Sequence, residues 1–172
     1  MNRSKDSGEH NLIRPAIAAD IPALVSLERA CVTAGHWTEE QYRRIVHPEQ
    51  ADPHRLVIVA EASQQKISGT GPTASGAVSG FLVALQVRTE WELENIVVAP
   101  VERRRGIGMR LLEALLVKAR ETNSEAVFLE VRESNGAACA LYERAGFELS
   151  GHRKAYYTKP PEDGVLYRLR LP

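Results

Sequence analysis

Residues 126–131, Ala-Val-Phe-Leu-Glu-Val, are apolar on both sides of any strand they form: Val127, Leu129 and Val131 point one way, Ala126 and Phe128 the other. A strand of that kind is at home only inside a sheet whose two faces are both covered. The rest of the chain must therefore supply more strands, and helices for each face. Asp20 is placed to cap a helix with Pro22 in its first turn and Ile21, Leu24 and Leu27 on one side. Thr38-Glu39-Glu40-Gln41 has the form of a capping box ahead of Tyr42 and Ile45, and Pro48 ends that second helix. Leu111, Leu112, Leu115, Leu116 and Ala119 recur at helical spacing directly behind Gly106 and Gly108. Ser134 and Asn135 precede a short helix that runs through Arg144 and stops at Gly146.

Strand patterns fill the intervals. Residues 12–17 are broken by Pro15, which suits an edge; 56–60, 77–87, 91–98, the segment from Phe147 and 165–170 supply the others. Along 91–98, simple alternation puts Glu92, Glu94, Ile96 and Val98 on one face and Leu93, Asn95 and Val97 on the other. The order β-α-α-β-β-β-α-β-α-β-β predicts an α/β (α+β) fold, with a mixed, mostly antiparallel sheet and helices on both faces. A length of 172 residues suits one domain. Residues 1–11 read as a flexible polar arm, 12–172 as the domain, and the Gly/Ser/Thr-rich stretch 63–76 as a long loop.

Twenty-two Lys+Arg balance twenty-two Asp+Glu, which argues against a generally basic nucleic-acid binder. No apolar run reaches the roughly 18–20 residues that cross a bilayer, and the start has no apolar signal core. Cys31 and Cys139 form no disulfide framework, and His36, His47, His54 and His152 are too scattered for a metal site. These features predict a cytoplasmic protein with no metal and no direct nucleic-acid or membrane partner, a monomer or weak dimer.

The densest chemistry lies in Arg103-Arg104-Arg105-Gly106-Ile107-Gly108-Met109-Arg110, between a strand and a helix. Glycines allow a sharp turn and close backbone approach, and the helix start leaves N–H groups unpaired with a partial positive charge. Beside three arginines, that is a place for phosphate or pyrophosphate. No Lys-Ser or Lys-Thr follows Gly108, so it is not a P-loop, and Leu111 stands where the dinucleotide fingerprint needs glycine.

Arg103-x-x-Gly106-x-Gly108 resembles the R/Q-x-x-G-x-G/A loop of the GCN5-related N-acetyltransferases, which hold acetyl-CoA by its pyrophosphate. The likeness runs over about residues 92–157, through NIVVAP, FLEVRESNGAACALYERAGF and RKAYY, and is similar to the branch that acetylates the N-terminal alanine of ribosomal proteins. Trp37-Thr38-Glu39 is similar to that branch's W-S/T-E, with His36 in place of its usual Pro. The resemblance implies that Ile96, Val97 and Val98 offer a backbone edge to the acetyl and pantetheine groups. It implies that Arg104, Arg105, Gly106, Ile107, Gly108 and Met109 cradle the pyrophosphate and that Asn135 bonds the pantetheine arm. Glu130 would be the base and Tyr142 the acid, with Glu94 a competing base or a holder of the incoming amine. Trp37 and Tyr156 would lie on the acceptor side. Adjacent strand tyrosines point to opposite faces, so only one of Tyr156 and Tyr157 is expected to touch substrate.

Acetyl transfer to an amine needs a neutral nitrogen and a protonated leaving thiolate. Neutralising an α-amine near pH 7 costs on the order of 1 kcal/mol, against roughly 4–5 for lysine. One carboxylate working through water is adequate for the former. No histidine pairs with Cys139, so direct transfer within a ternary complex is expected, without an acyl-enzyme. The acceptor implied is a protein N-terminus, that of a ribosomal protein. The alternatives are a free small amine and a non-catalytic acyl-CoA-binding module.

Overall fold

The computed structural model describes residues 11–31, 37–46, 54–62 and 77–172. Seven strands, β1 (Leu12–Pro15), β2 (Arg55–Glu61), β3 (Val78–Val87), β4 (Glu90–Val98), β5 (Ala126–Arg132), β6 (Glu148–Thr158) and β7 (Pro161–Arg170), make one sheet in the order β1-β2-β3-β4-β5-β7-β6. All neighbouring pairs are antiparallel except β4 and β5. β5 is interior, as its two apolar sides require, and Pro15 lies in the edge strand β1. The helices are α1 (Ile21–Arg29), α2 (Glu39–Val46), α3 (Ile107–Glu121) and α4 (Gly136–Arg144).

The sheet is covered on both sides. On one face Ile21, Leu24, Tyr42 and Ile45 close on Val59, Phe81, Val83 and Val97. On the other, Leu111, Leu112 and Leu115 of α3 and Tyr142 of α4 share a core with Leu82, Trp91, Leu129 and Phe147. Each such side chain removed from water contributes about 1.5–3 kcal/mol. The capping box of α2 is formed: Thr38 N donates to Gln41 Oε1 at 2.7 Å and Gln41 N to Thr38 Oγ1 at 3.2 Å.

Three expectations need correction. Asp20 stands at the N-cap position of α1 but bonds none of its amides. Its carboxylate is taken by Arg14 of β1, at 2.7 and 2.9 Å, and by Ile17 N at 2.8 Å. Along β4, Val83 pairs with Asn95 and Ala84 with Leu93, so Glu94 is an extra residue in a β-bulge. The bulge resets the alternation. Trp91, Leu93, Ile96 and Val98 share the α3 face, whereas Val97 faces α1 and α2, and Glu92 stands opposite Leu85 and Phe128. In β6 the register breaks between Arg153 and Tyr157, with Ala155 left-handed at φ 50. Tyr156 and Tyr157 therefore do not diverge to opposite faces; their rings meet edge to face at 5.1 Å.

Among the described residues no helix is long and apolar enough to cross a membrane. The stretch 63–76, His36, His47, Pro48 and all of the expected arm but Asn11 lie outside the described residues.

Candidate active site

β4 and β5 pair in parallel only as far as Leu93 and Leu129. Beyond that point β4 stays with β3 and β5 with β7, and the two strands part. From Asn95 to Val98 the side of β4 away from β3 is therefore a backbone edge that no strand pairs. The bulge at Glu94 sits where the parting begins, because the extra residue bends β4 and increases its twist.

A cavity of about 570 Å3 opens along this edge. Ile96, Val97 and Val98 form one wall, the turn Arg104, Gly106, Ile107, Gly108 and Met109 a second, and Asn135 belongs to a third made by the start of α4. Arg104 and Gly106 are both left-handed, at φ 66 and 78, and deliver the chain into α3, whose first amides have no side-chain cap. A Cβ on Gly108 would lie 3.1 Å from Leu141 Cδ2, so glycine sets how closely α3 and α4 approach beside the cavity. Asn135 caps α4, its Oδ1 accepting from Ala138 N at 3.3 Å. Arg105 is not in the wall: its Nη1 pairs with Glu102 Oε2 at 2.9 Å in an exposed bridge.

Cys31, Leu141 and Arg144, to which the sequence reading gave no role, also line the space, as does Arg103 of the loop motif. Arg103 fastens the turn, donating from Nε to Val98 O at 3.3 Å and from Nη2 to Cys31 Sγ at 3.4 Å. Helical spacing from Ala137, another lining residue, points to Leu141 and Arg144; nothing local points to Cys31. Uncapped amides and guanidinium groups at one end and an unpaired strand edge along the side suit an elongated anionic ligand.

The carboxylates gather on the sheet face opposite α3. Glu130 of β5 follows Phe128 on that face, and its Oε1 accepts from Arg153 Nη1 at 2.8 Å. Its Oε2 is buried and has no hydrogen-bond partner among the described residues. Glu94 takes both prongs of Arg55, Nε to Oε2 at 3.0 Å and Nη2 to Oε1 at 2.9 Å. Glu92 is pushed above the usual carboxylate range by burial first and then by Glu94 and Glu130. Trp37 lies beside the arginine of the Glu94 pair, with the Arg55 guanidinium 5.6 Å from its ring. A buried carboxylate anchors it: Glu28 accepts from Trp37 N at 3.0 Å and from Asn95 Nδ2 at 2.5 Å. Tyr156 is half exposed beside Glu130, which, before burial, raises its phenol.

Tyr142 lies behind the cavity, next to its lining residue Leu141, among Phe147 and Tyr167 at 6.0 and 6.1 Å. Burial, then the neighbouring Cys139 and Tyr157, pushes its phenol well up, so it holds its proton at every physiological pH. Glu130, Glu94, Trp37 and Tyr156 thus meet on one side of the strand parting, while the turn and Asn135 meet on the other.

Comparison with known proteins bears on this arrangement. Residues 21–147 match the acetyltransferase (GNAT) family model. The chain is 38% identical over 101 residues to the ribosomal protein bS18-alanine N-acetyltransferase of Escherichia coli, covering 58% of this chain and 68% of that one. It is 36% identical over 120 residues to the N-alpha-acetyltransferase RimI of Mycobacterium tuberculosis, covering 70% and 69%. The crystal structure of the Escherichia coli ribosomal-protein-S18-alanine N-acetyltransferase superposes with a TM-score of 0.71 at 29% identity over 93% of each chain.

Proposed function

This chain belongs to the acetyltransferase (GNAT) family and is an acetyl-CoA-dependent N-acetyltransferase; on that premise we propose that it acetylates the N-terminal α-amine of a protein, the terminal alanine of a ribosomal protein of the small subunit. The observation that carries the reading is the parting of β4 and β5, which gives an acyl donor a free backbone edge with anion-binding amides at one end and carboxylates at the other. The name of the Escherichia coli relative gives the same acceptor, and that of the Mycobacterium tuberculosis relative gives an α-amine.

The coenzyme, when bound, supplies the acetyl thioester. The amides and guanidinium groups around Arg104 to Met109 hold its diphosphate, Asn135 holds the pantetheine arm, and β4 at 96–98 aligns the rest. Glu130 takes the proton of the α-ammonium, directly or through water, and its Oε2, which has no partner among the described residues, is the atom available for this. Tyr142 returns a proton to the departing sulfur. Glu94, with both oxygens on Arg55, is the weaker candidate for base and serves to hold the amine. Trp37 and Tyr156 flank the acceptor path.

The test is incubation with acetyl-CoA and a peptide beginning in alanine, beside a panel of small amines, with product masses and acetylation sites read out. Acetylation of the peptide's α-amine is expected. Turnover of small amines alone overturns the acceptor, and tight coenzyme binding without turnover of any amine overturns the catalytic roles.

A further inference from the structure

Arg55 lies at the start of β2, two strands away from the parting, and the family signature gives it no part. In the sheet it stands in a row with Leu85 of β3 and Glu92 of β4, on the carboxylate face. From there its side chain crosses β3 and grips both oxygens of Glu94, at 3.0 and 2.9 Å, while its guanidinium lies 5.6 Å from the Trp37 ring. The ion pair is largely removed from solvent, with Arg55 31% and Glu94 16% exposed, so water screens it little. A two-pronged contact fixes orientation as well as distance, which a single contact does not. Glu94 needs such a restraint because it is the bulge residue, at the point where β4 has lost β5 as a neighbour.

We propose that Arg55 is a positioning residue for the acceptor: it holds Glu94 and Trp37 in one fixed arrangement at the mouth of the parting, so that Glu94 binds the incoming ammonium and the proton chemistry is left to another carboxylate. This rests on the reading that an α-amine enters there. Among the described residues the carboxylates Glu92, Glu94 and Glu130, with Glu28 beneath Trp37, outnumber the guanidinium groups of Arg55 and Arg153, so the face remains attractive to a cation while Arg55 keeps one carboxylate from swinging away.

Steady-state kinetics with the alanine peptide test the assignment. Arg55→Gln is expected to raise the peptide KM at least about tenfold, with kcat within about threefold and the acetyl-CoA KM unchanged. Glu94→Gln is expected to raise it at least as much, and the double variant no more than Glu94→Gln alone, because Arg55 acts through Glu94. Arg55→Lys, which keeps the charge but not the two prongs, recovers part of the loss. A peptide KM that does not move overturns the proposal, as does a fall in kcat with a displaced acid limb, which makes Glu94 the base. If Arg55→Gln does not fold, Arg55→Lys and Glu94→Gln decide by the same split. A wild-type enzyme that ignores the peptide but turns over a small amine defeats the acceptor reading alone, and the split measured on that amine then decides the role of Arg55.

Discussion

Arg153 Nη1 lies 2.8 Å from Glu130 Oε1, and the other oxygen of that carboxylate, Oε2, is buried with no partner among the described residues. Among the described residues, Arg153 orients one oxygen, the Tyr156 phenol lies beside the carboxylate, and the second oxygen is left open to bond an incoming group. An unpaired buried acceptor costs about 1–3 kcal/mol, a cost that survives in a fold when function needs the atom.

Glu130→Gln keeps the shape and removes the basic oxygen. With an alanine peptide, kcat/KM should fall by about 10²–10⁴ while the acetyl-CoA affinity and melting temperature stay near wild type. Rate measurements across pH on both forms check this, and a loss under about threefold moves the base elsewhere.

Tyr142→Phe removes only a hydroxyl from a ring that stays packed between Phe147 and Tyr167. kcat should drop by about 10²-fold, with stability changed by less than about 1 kcal/mol. Because burial raises this phenol above its ordinary value of about 10, no basic limb from Tyr142 should appear in the wild-type rate profile below that pH. A variant retaining full kcat makes Tyr142 a packing residue only.

Gly106 adopts φ 78 and Gly108 faces Leu141 across 3.1 Å of would-be Cβ contact. Alanine at 106 pays the left-handed penalty of about 1–2 kcal/mol at the turn, and alanine at 108 presses α4 away from α3 beside the cavity. Both should raise the KM for acetyl-CoA several-fold and leave the peptide KM alone, as coenzyme titration by calorimetry and initial rates will show.

The element order, the interior place of β5 and the α2 capping box were legible because each rests on local pattern. What was hidden depends on partners distant in the chain. Asp20 has the right identity for a cap, yet Arg14, six residues earlier in β1, outcompetes the helix amides for it. Period-two alternation fails at Glu94 and again between Arg153 and Tyr157, because a bulge adds a residue without a composition to announce it. The glycine turn could be read from its spacing, and all of its expected residues but Arg105 line the cavity. Arg55 could not be read: a charged residue ahead of an apolar strand says nothing about the carboxylate it will meet across β3.

Asp20 offers a test of stability that is separate from catalysis. Burial works against its charge, but the Arg14 guanidinium and the Ile17 amide more than offset it and hold the carboxyl below the usual range. A group with a depressed folded pKa stabilises above its unfolded value of about 3.9, and that contribution disappears as pH falls through the folded value. Asp20→Asn, which removes one carboxylate from Arg14 and leaves its pair with Glu61, should therefore cost about 2–3 kcal/mol near pH 7. The difference between the two proteins should be constant from pH 7 to about 5 and shrink below about 4. Urea unfolding at a series of pH values measures it. A difference that grows on acidification would mean that Asp20 is held in its neutral form and that Arg14 is not its effective partner.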